Sequence, residues 1–227
     1  MIYKILIFDA DNTLFDFDFA EKEALFKIIE GLKIETDFAE IFEKYNKINK
    51  QIWKEFEEKN ISAEHLKVER FRRFFVEINI TPDAKYFAEK YLYYLSTVTK
   101  LLPDAYQLIK EFRVKYKIAV VTNGLTSVQK PRFENSELKK FVDTYVISEE
   151  VGVSKPQPEI FQLACDRIGK FDKSEILVIG DNFRSDIVGG FNFGVDTCWF
   201  NFNHEINNSE LKPKFEIHNL KELKRFL

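Results

Sequence analysis

Cysteine is scarce in this chain of 227 residues, with only Cys165 and Cys198. Two thiols cannot build the framework of a disulfide-stapled secreted domain, and they read as small buried side chains. Neither sign of charge is in excess. The 34 Lys and Arg stand against 37 Asp and Glu, a formal net charge of −3. The absence of a basic field to gather phosphate backbones argues against a dedicated nucleic-acid binder. No apolar run approaches the ~18 residues of a membrane span. Candidate chemistry already begins at Asp9, which argues against a removable leader. The expectation is a protein of the reducing cytoplasm that engages neither membrane nor nucleic acid. The sequence is silent on oligomeric state.

Helix breakers are also few, and unevenly placed. No proline precedes Pro82, and no glycine lies between Gly31 and Gly124. A stretch without breakers can run as continuous helices. Apolar residues there recur near the 3.6 period, as in Ile41, Tyr45, Ile48, Ile52 and then Leu66, Phe71, Phe74, Phe75, Ile78. Residues 17–98 are therefore expected to form an all-helical insert of about four helices. On either side the pattern changes to short apolar runs: Tyr3–Phe8, Ile118–Val121, Tyr145–Ile147, Ile176–Ile179 and Thr197–Phe200. Helical stretches at Ala105–Tyr116, Glu159–Ile168 and Phe183–Phe191 separate most of them, and Phe215–Leu227 adds an edge strand and a final helix. This alternation predicts an α/β fold, a doubly wound, Rossmann-like parallel sheet covered on both faces. The core domain would comprise residues 1–16 and 99–227, with residues 17–98 inserted after the first strand as a helical cap. Open parallel sheets bind ligands at the carboxyl ends of their strands, so the cap is expected to enclose something small.

Four groups of residues fall just past strand ends. Asp9 and Asp11 follow the first strand; an acidic pair there serves turns and helix caps as readily as chemistry. The i, i+2 spacing nevertheless lets one carboxylate attack a small group while the other exchanges a proton with it. Thr122-Asn123-Gly124 reads either as a glycine turn or as a phosphate cradle of hydroxyl and backbone N–H groups. Lys155 precedes Pro156, which biases it to an extended backbone and fixes where its side chain points. Asp181 and Asp186 follow another buried strand, where a helix cap is the plain alternative. Carboxylates converging in one crevice repel, and a hard divalent cation with oxygen ligands relieves that conflict.

In this order and at these strand ends, the four segments resemble the motifs of the haloacid dehalogenase-like hydrolase superfamily. Asp9 and Asp11 match the first motif, Thr122 the second, Lys155 the third, and Asp181 with Asp186 the fourth. The segments 8–15, 122–127, 146–156 and 196–199 are further similar to the YjjG-type pyrimidine 5′-nucleotidase subfamily, although Asn12 stands where other members often have Gly or Glu. The resemblance implies an Mg²⁺-dependent phosphomonoester hydrolase acting on a small-molecule phosphate ester, a pyrimidine nucleoside monophosphate in particular. By the same resemblance Asp9 is the nucleophile and Asp11 the general acid and base. Thr122, Asn123 and Lys155 bind phosphate. Asp9, Asp181 and the Asp11 backbone carbonyl hold the metal, and Asp186 orients Lys155 or a metal-bound water.

Three other readings compete. A dehalogenase needs no second acid, so Asp11 speaks against it. A sugar-phosphate phosphatase or phosphomutase shares the same core motifs. A non-enzymatic binding module would use an exposed aromatic face, for which the 24 Phe residues provide material; the plainer expectation is that they form the insert's own core. Phe15, Phe17 and Phe19 stack on a base or pack internally, and Trp53 is equally open. His65, His204 and His218 belong to no constellation.

Overall fold

The apolar run Ile5–Phe8, buried at all of its residues, forms strand β1. The structure is a computed structural model that describes residues 3–32, 37–58 and 60–227. The remaining positions, which include parts of the expected core and insert, lie outside the described residues. β2 (Lys117–Thr122), β3 (Thr144–Ile147), β4 (Ile176–Gly180), β5 (Asp196–Phe200) and β6 (Phe215–Ile217) complete one sheet in the order β3-β2-β1-β4-β5-β6. Each pairing is parallel. Phe8, the last residue of β1, lies opposite Val120 on one side and Ile179 on the other, so β2 and β4 run slightly past the end of β1. The chain winds outward through β2 and β3, then returns to the far side of β1 as β4. β1 and β4 therefore flank the point where strand order reverses, which is where this architecture binds ligands.

Strand alternation distributes β1 between two cores. Leu6 and Phe8 pack with Leu108, Ile109 and Phe112 of α5 (Ala105–Phe112), while Ile5 and Ile7 pack with Ile160, Phe161 and Ala164 of α8 (Pro158–Ile168). Both sheet faces are covered, as the continuous apolar strands implied. Between these helices lie α6 (Thr126–Glu134) and the single turn α7 (Ser148–Val151). The helix expected over Phe183–Phe191 is a π-type turn, Phe183–Ile187, followed by α9 (Val188–Phe193). α5 is shorter than expected, with turns carrying the chain from Arg113 into Tyr116. The tail ends in a 3₁₀ segment, Leu220–Arg225, instead of an α-helix; so few residues cannot sustain several α-helical turns.

Two compact units emerge, residues 1–17 with 99–227, and residues 18–98. The second is built from α1 (Phe17–Ile29), α2 (Phe38–Glu57), α3 (Ala63–Glu77) and α4 (Ala84–Thr97). Asp37, Ser62 and Asp83 cap the last three by accepting hydrogen bonds from first-turn backbone N–H groups. Its core is aromatic, with Tyr45, Phe71, Phe74, Phe75 and Tyr91 buried. A polar relay crosses it: Asn49 Nδ2 donates to Glu21 Oε1 at 2.6 Å, and Arg70 Nη1 donates to Asn49 Oδ1 at 3.3 Å. No described helix is long and apolar enough to cross a membrane.

Candidate active site

Asp9 is the first residue past β1, and its backbone N–H donates to Ile179 O at 2.8 Å, which continues the β1–β4 pairing by one step. Its carboxylate is buried beside the Lys155 ammonium, which also donates to Val121 O at 3.0 Å and pairs with Asp186 Oδ1 at 2.6 Å. One buried cation thus spans the ends of β1 and β2 and the turn after β4. Asn123 holds it there from the main chain. Lys155 N donates to Asn123 Oδ1 at 2.8 Å, and Asn123 Nδ2 donates to Lys155 O at 2.9 Å. The Asn123 side chain is therefore committed to placing the lysine. Thr122 is buried as the last residue of β2.

After β4, Asp181 receives support from its main chain and from Thr13. Asp181 N donates to Thr13 Oγ1 at 3.1 Å, the Thr13 hydroxyl reaches Asp181 Oδ1 at 3.3 Å, and Trp199 Nε1 donates to Asp181 O at 2.8 Å. Asp186 sits one turn further, almost fully buried, and accepts from Asn182 N at 3.0 Å and Ser185 Oγ at 3.3 Å. Oxygens of Asp9, Asp181 and Asp186 all lie within 4.8 Å of one another.

Such crowding has an electrostatic consequence. Burial pushes the Asp9 carboxyl up to about 7 against the pull of Lys155, and Asp186 adds to the rise. Burial, then the charges of Asp9 and Asp186, push Asp181 up to about 9. Burial alone would lower Lys155, but the negative charges of Asp186 and Asp9 outweigh it and hold the ammonium well above its ordinary value. Three acids share one cation, so the cluster is short of positive charge. An all-oxygen donor set with unrelieved repulsion fits a hard divalent ion.

Asp11 is placed differently. Its carboxylate turns to α6, where Oδ1 accepts from Arg132 Nη1 at 2.6 Å and Oδ2 from Gln129 Nε2 at 2.5 Å. Gln129 and Arg132 did not stand out in the sequence. The three-residue spacing that puts both on one face of a helix was the available signal. Of the aromatics, Phe15 is buried in the sheet domain's core beside Arg132. Trp53 packs edge-on to Phe56. His204 and His218 stack on each other at 4.2 Å between ring centroids.

A family model of the haloacid dehalogenase-like hydrolases matches residues 3–194, a span that contains all these acids and Lys155. The chain is 35% identical to the pyrimidine 5′-nucleotidase YjjG of Escherichia coli (strain K12), over 98% of this chain and 96% of that protein. It is 34% identical to the pyrimidine 5′-nucleotidase PynA of Streptococcus pneumoniae (strain ATCC BAA-255 / R6), over 98% and 94%. The crystal structure of the HAD-hydrolase YfnB from Bacillus subtilis, bound to magnesium, matches with a TM-score of 0.92 at 32% identity, covering 99% of this chain and 98% of that one. The chain belongs to the haloacid dehalogenase-like hydrolase family and is one of its phosphatases.

Proposed function

We propose that the chain hydrolyses pyrimidine nucleoside 5′-monophosphates through an aspartyl-phosphate on Asp9, with residues 1–16 and 99–227 as its catalytic core and residues 17–98 as its cap domain. The observation that carries the chemistry is the convergence of Asp9, Asp181 and Asp186 around Lys155 at the reversal point of the sheet. The substrate class is supported by the two nucleotidases that share about a third of its residues over nearly their full lengths.

In the first step an Asp9 carboxylate oxygen attacks phosphorus, the bond from phosphorus to the ester oxygen breaks, and Asp11 gives its proton to that departing oxygen. Water then attacks phosphorus, Asp11 takes one of its protons, and the bond to Asp9 breaks to release inorganic phosphate. Lys155, the Thr122 hydroxyl and the Asn123 backbone N–H bind the remaining phosphoryl oxygens, since the Asn123 side chain is occupied with the Lys155 main chain. Mg²⁺ would be held by Asp9, Asp181 and the Asp11 backbone carbonyl, and when bound it offsets the repulsion between an anionic nucleophile and an anionic ester. Asp186 fixes the Lys155 ammonium.

Phosphate release from a panel of nucleoside monophosphates and sugar phosphates tests this reading, with Mg²⁺ and with chelator. Preference for uridine, cytidine and thymidine monophosphates that chelation abolishes is expected. Equal rates on sugar phosphates would reduce the reading to a general phosphatase.

A further inference from the structure

Both oxygens of the Asp11 carboxylate are tied to a helix more than a hundred residues away in sequence. Arg132, which supplies one tie, is fully buried, and its guanidinium lies 4.9 Å from the Phe15 ring centre and 5.7 Å from that of Phe17. Gln129, which supplies the other, is buried against Gly124. A Cβ at position 124 would lie 2.8 Å from Gln129 Cγ and 2.9 Å from its Nε2, so only glycine there lets the amide pass to Asp11. Burying a guanidinium is expensive, and an apolar side chain would fill the same space without that desolvation. A cluster built this way serves orientation more than packing.

We infer that Gln129 and Arg132 are positioning residues for proton transfer, holding Asp11 in a single orientation, and that Gly124 admits Gln129 to that task. The inference rests on Asp11 being the acid–base group of the proposed reaction. A carboxylate held at both oxygens has already lost the rotamer freedom that would otherwise spread it over several orientations. Each Asp11 oxygen keeps a second lone pair beside its bond to α6, and the proton to be delivered sits on one of these; the benefit falls on its transfer to the departing oxygen and leaves phosphate binding alone.

That distinction gives the test a signature. A nucleoside 5′-phosphate expels an alkoxide that needs a proton as it leaves, whereas p-nitrophenyl phosphate expels a stabilised phenolate that does not. We would compare kcat/KM, which reports the step forming the aspartyl-phosphate, for uridine 5′-monophosphate and p-nitrophenyl phosphate in Gln129→Leu, Arg132→Met, Arg132→Lys and Gly124→Ala. Gln129→Leu, Arg132→Met and Gly124→Ala are each expected to lose about 30-fold or more on the nucleotide and about 3-fold or less on p-nitrophenyl phosphate, and Arg132→Lys to lose less on the nucleotide than Arg132→Met. Equal losses on the two esters, or no loss, would overturn the inference. Gln129→Leu keeps the measurement available should Arg132→Met not fold, and unfolding of every variant would assign the cluster to stability and also overturn it. Asp11→Asn separates the two levels of the argument. A loss there that depends on the leaving group, without one in the α6 variants, defeats the positioning role and leaves Asp11's own role standing. A loss in Asp11→Asn that is uniform across both esters defeats Asp11's role and the positioning role with it.

Discussion

A Cβ on Gly180 would lie 2.2 Å from Asp186 Oδ2, so the Asp186 carboxylate occupies the volume that a side chain at the end of β4 would need. This is why β4 ends in glycine, and it lets Asp186 fold back to reach Lys155. Gly180→Ala should displace Asp186 while leaving the backbone pairing of β4 in place. We expect kcat to fall about 100-fold and stability to fall by ~1–3 kcal/mol. Steady-state kinetics and urea denaturation measure both, and unchanged kcat would show that the Asp186–Lys155 contact is dispensable.

Lys155 is the only basic side chain that pairs with Asp9 or Asp186 among the described residues. Lys155→Met leaves a group of buried acids without a counter-charge, at a cost on the order of 3 kcal/mol. Asp9 and Asp181 carry raised pKa values, so acid relieves the variant by protonating them. With divalent ions chelated, the stability gap between wild type and variant should be wider at pH 8 than at pH 5. A gap that is constant with pH, or widest in acid, would contradict the charge account.

In the helical unit, burial pushes the Glu21 carboxyl up to about 7, against the pull of Arg70, from an ordinary value of 4.5. The folded chain therefore holds this proton more tightly than the unfolded chain. The associated stability is fully present below about 4.5 and is lost as pH rises through 7. Between pH 5 and 8 the wild-type thermal midpoint should drop by about 5 °C relative to Glu21→Gln, which cannot titrate. Parallel curves for the two proteins would refute the assignment.

What the sequence revealed and what it hid have the same physical basis. The runs Ile5–Phe8, Ile118–Val121 and Ile176–Ile179 are buried and read as unbroken apolar stretches, each followed directly or after one glycine by a polar residue at the carboxyl ends of the strands. Asp9, Thr122 and Asp181 were visible for that reason. α6 was not. It contains Pro131 and has little apolar periodicity, with only Val128 and Phe133 as buried apolar side chains, so it is not among the helices the sequence predicts. Gln129 and Arg132 acquire meaning only from contact with Asp11, a long-range pairing that no local pattern encodes. The second role of Asn123, bracketing the Lys155 main chain, was hidden likewise.

In the proposed reaction Asp9 carries the phosphoryl group. Rapid acid quench during turnover of uridine 5′-monophosphate, followed by peptide mass spectrometry, tests it most directly. We predict one added phosphoryl group on the peptide containing Asp9, absent in Asp9→Asn, which should release no phosphate while keeping the wild-type fold. Phosphate release by Asp9→Asn at the wild-type rate, or phosphorylation at another residue, would contradict the account.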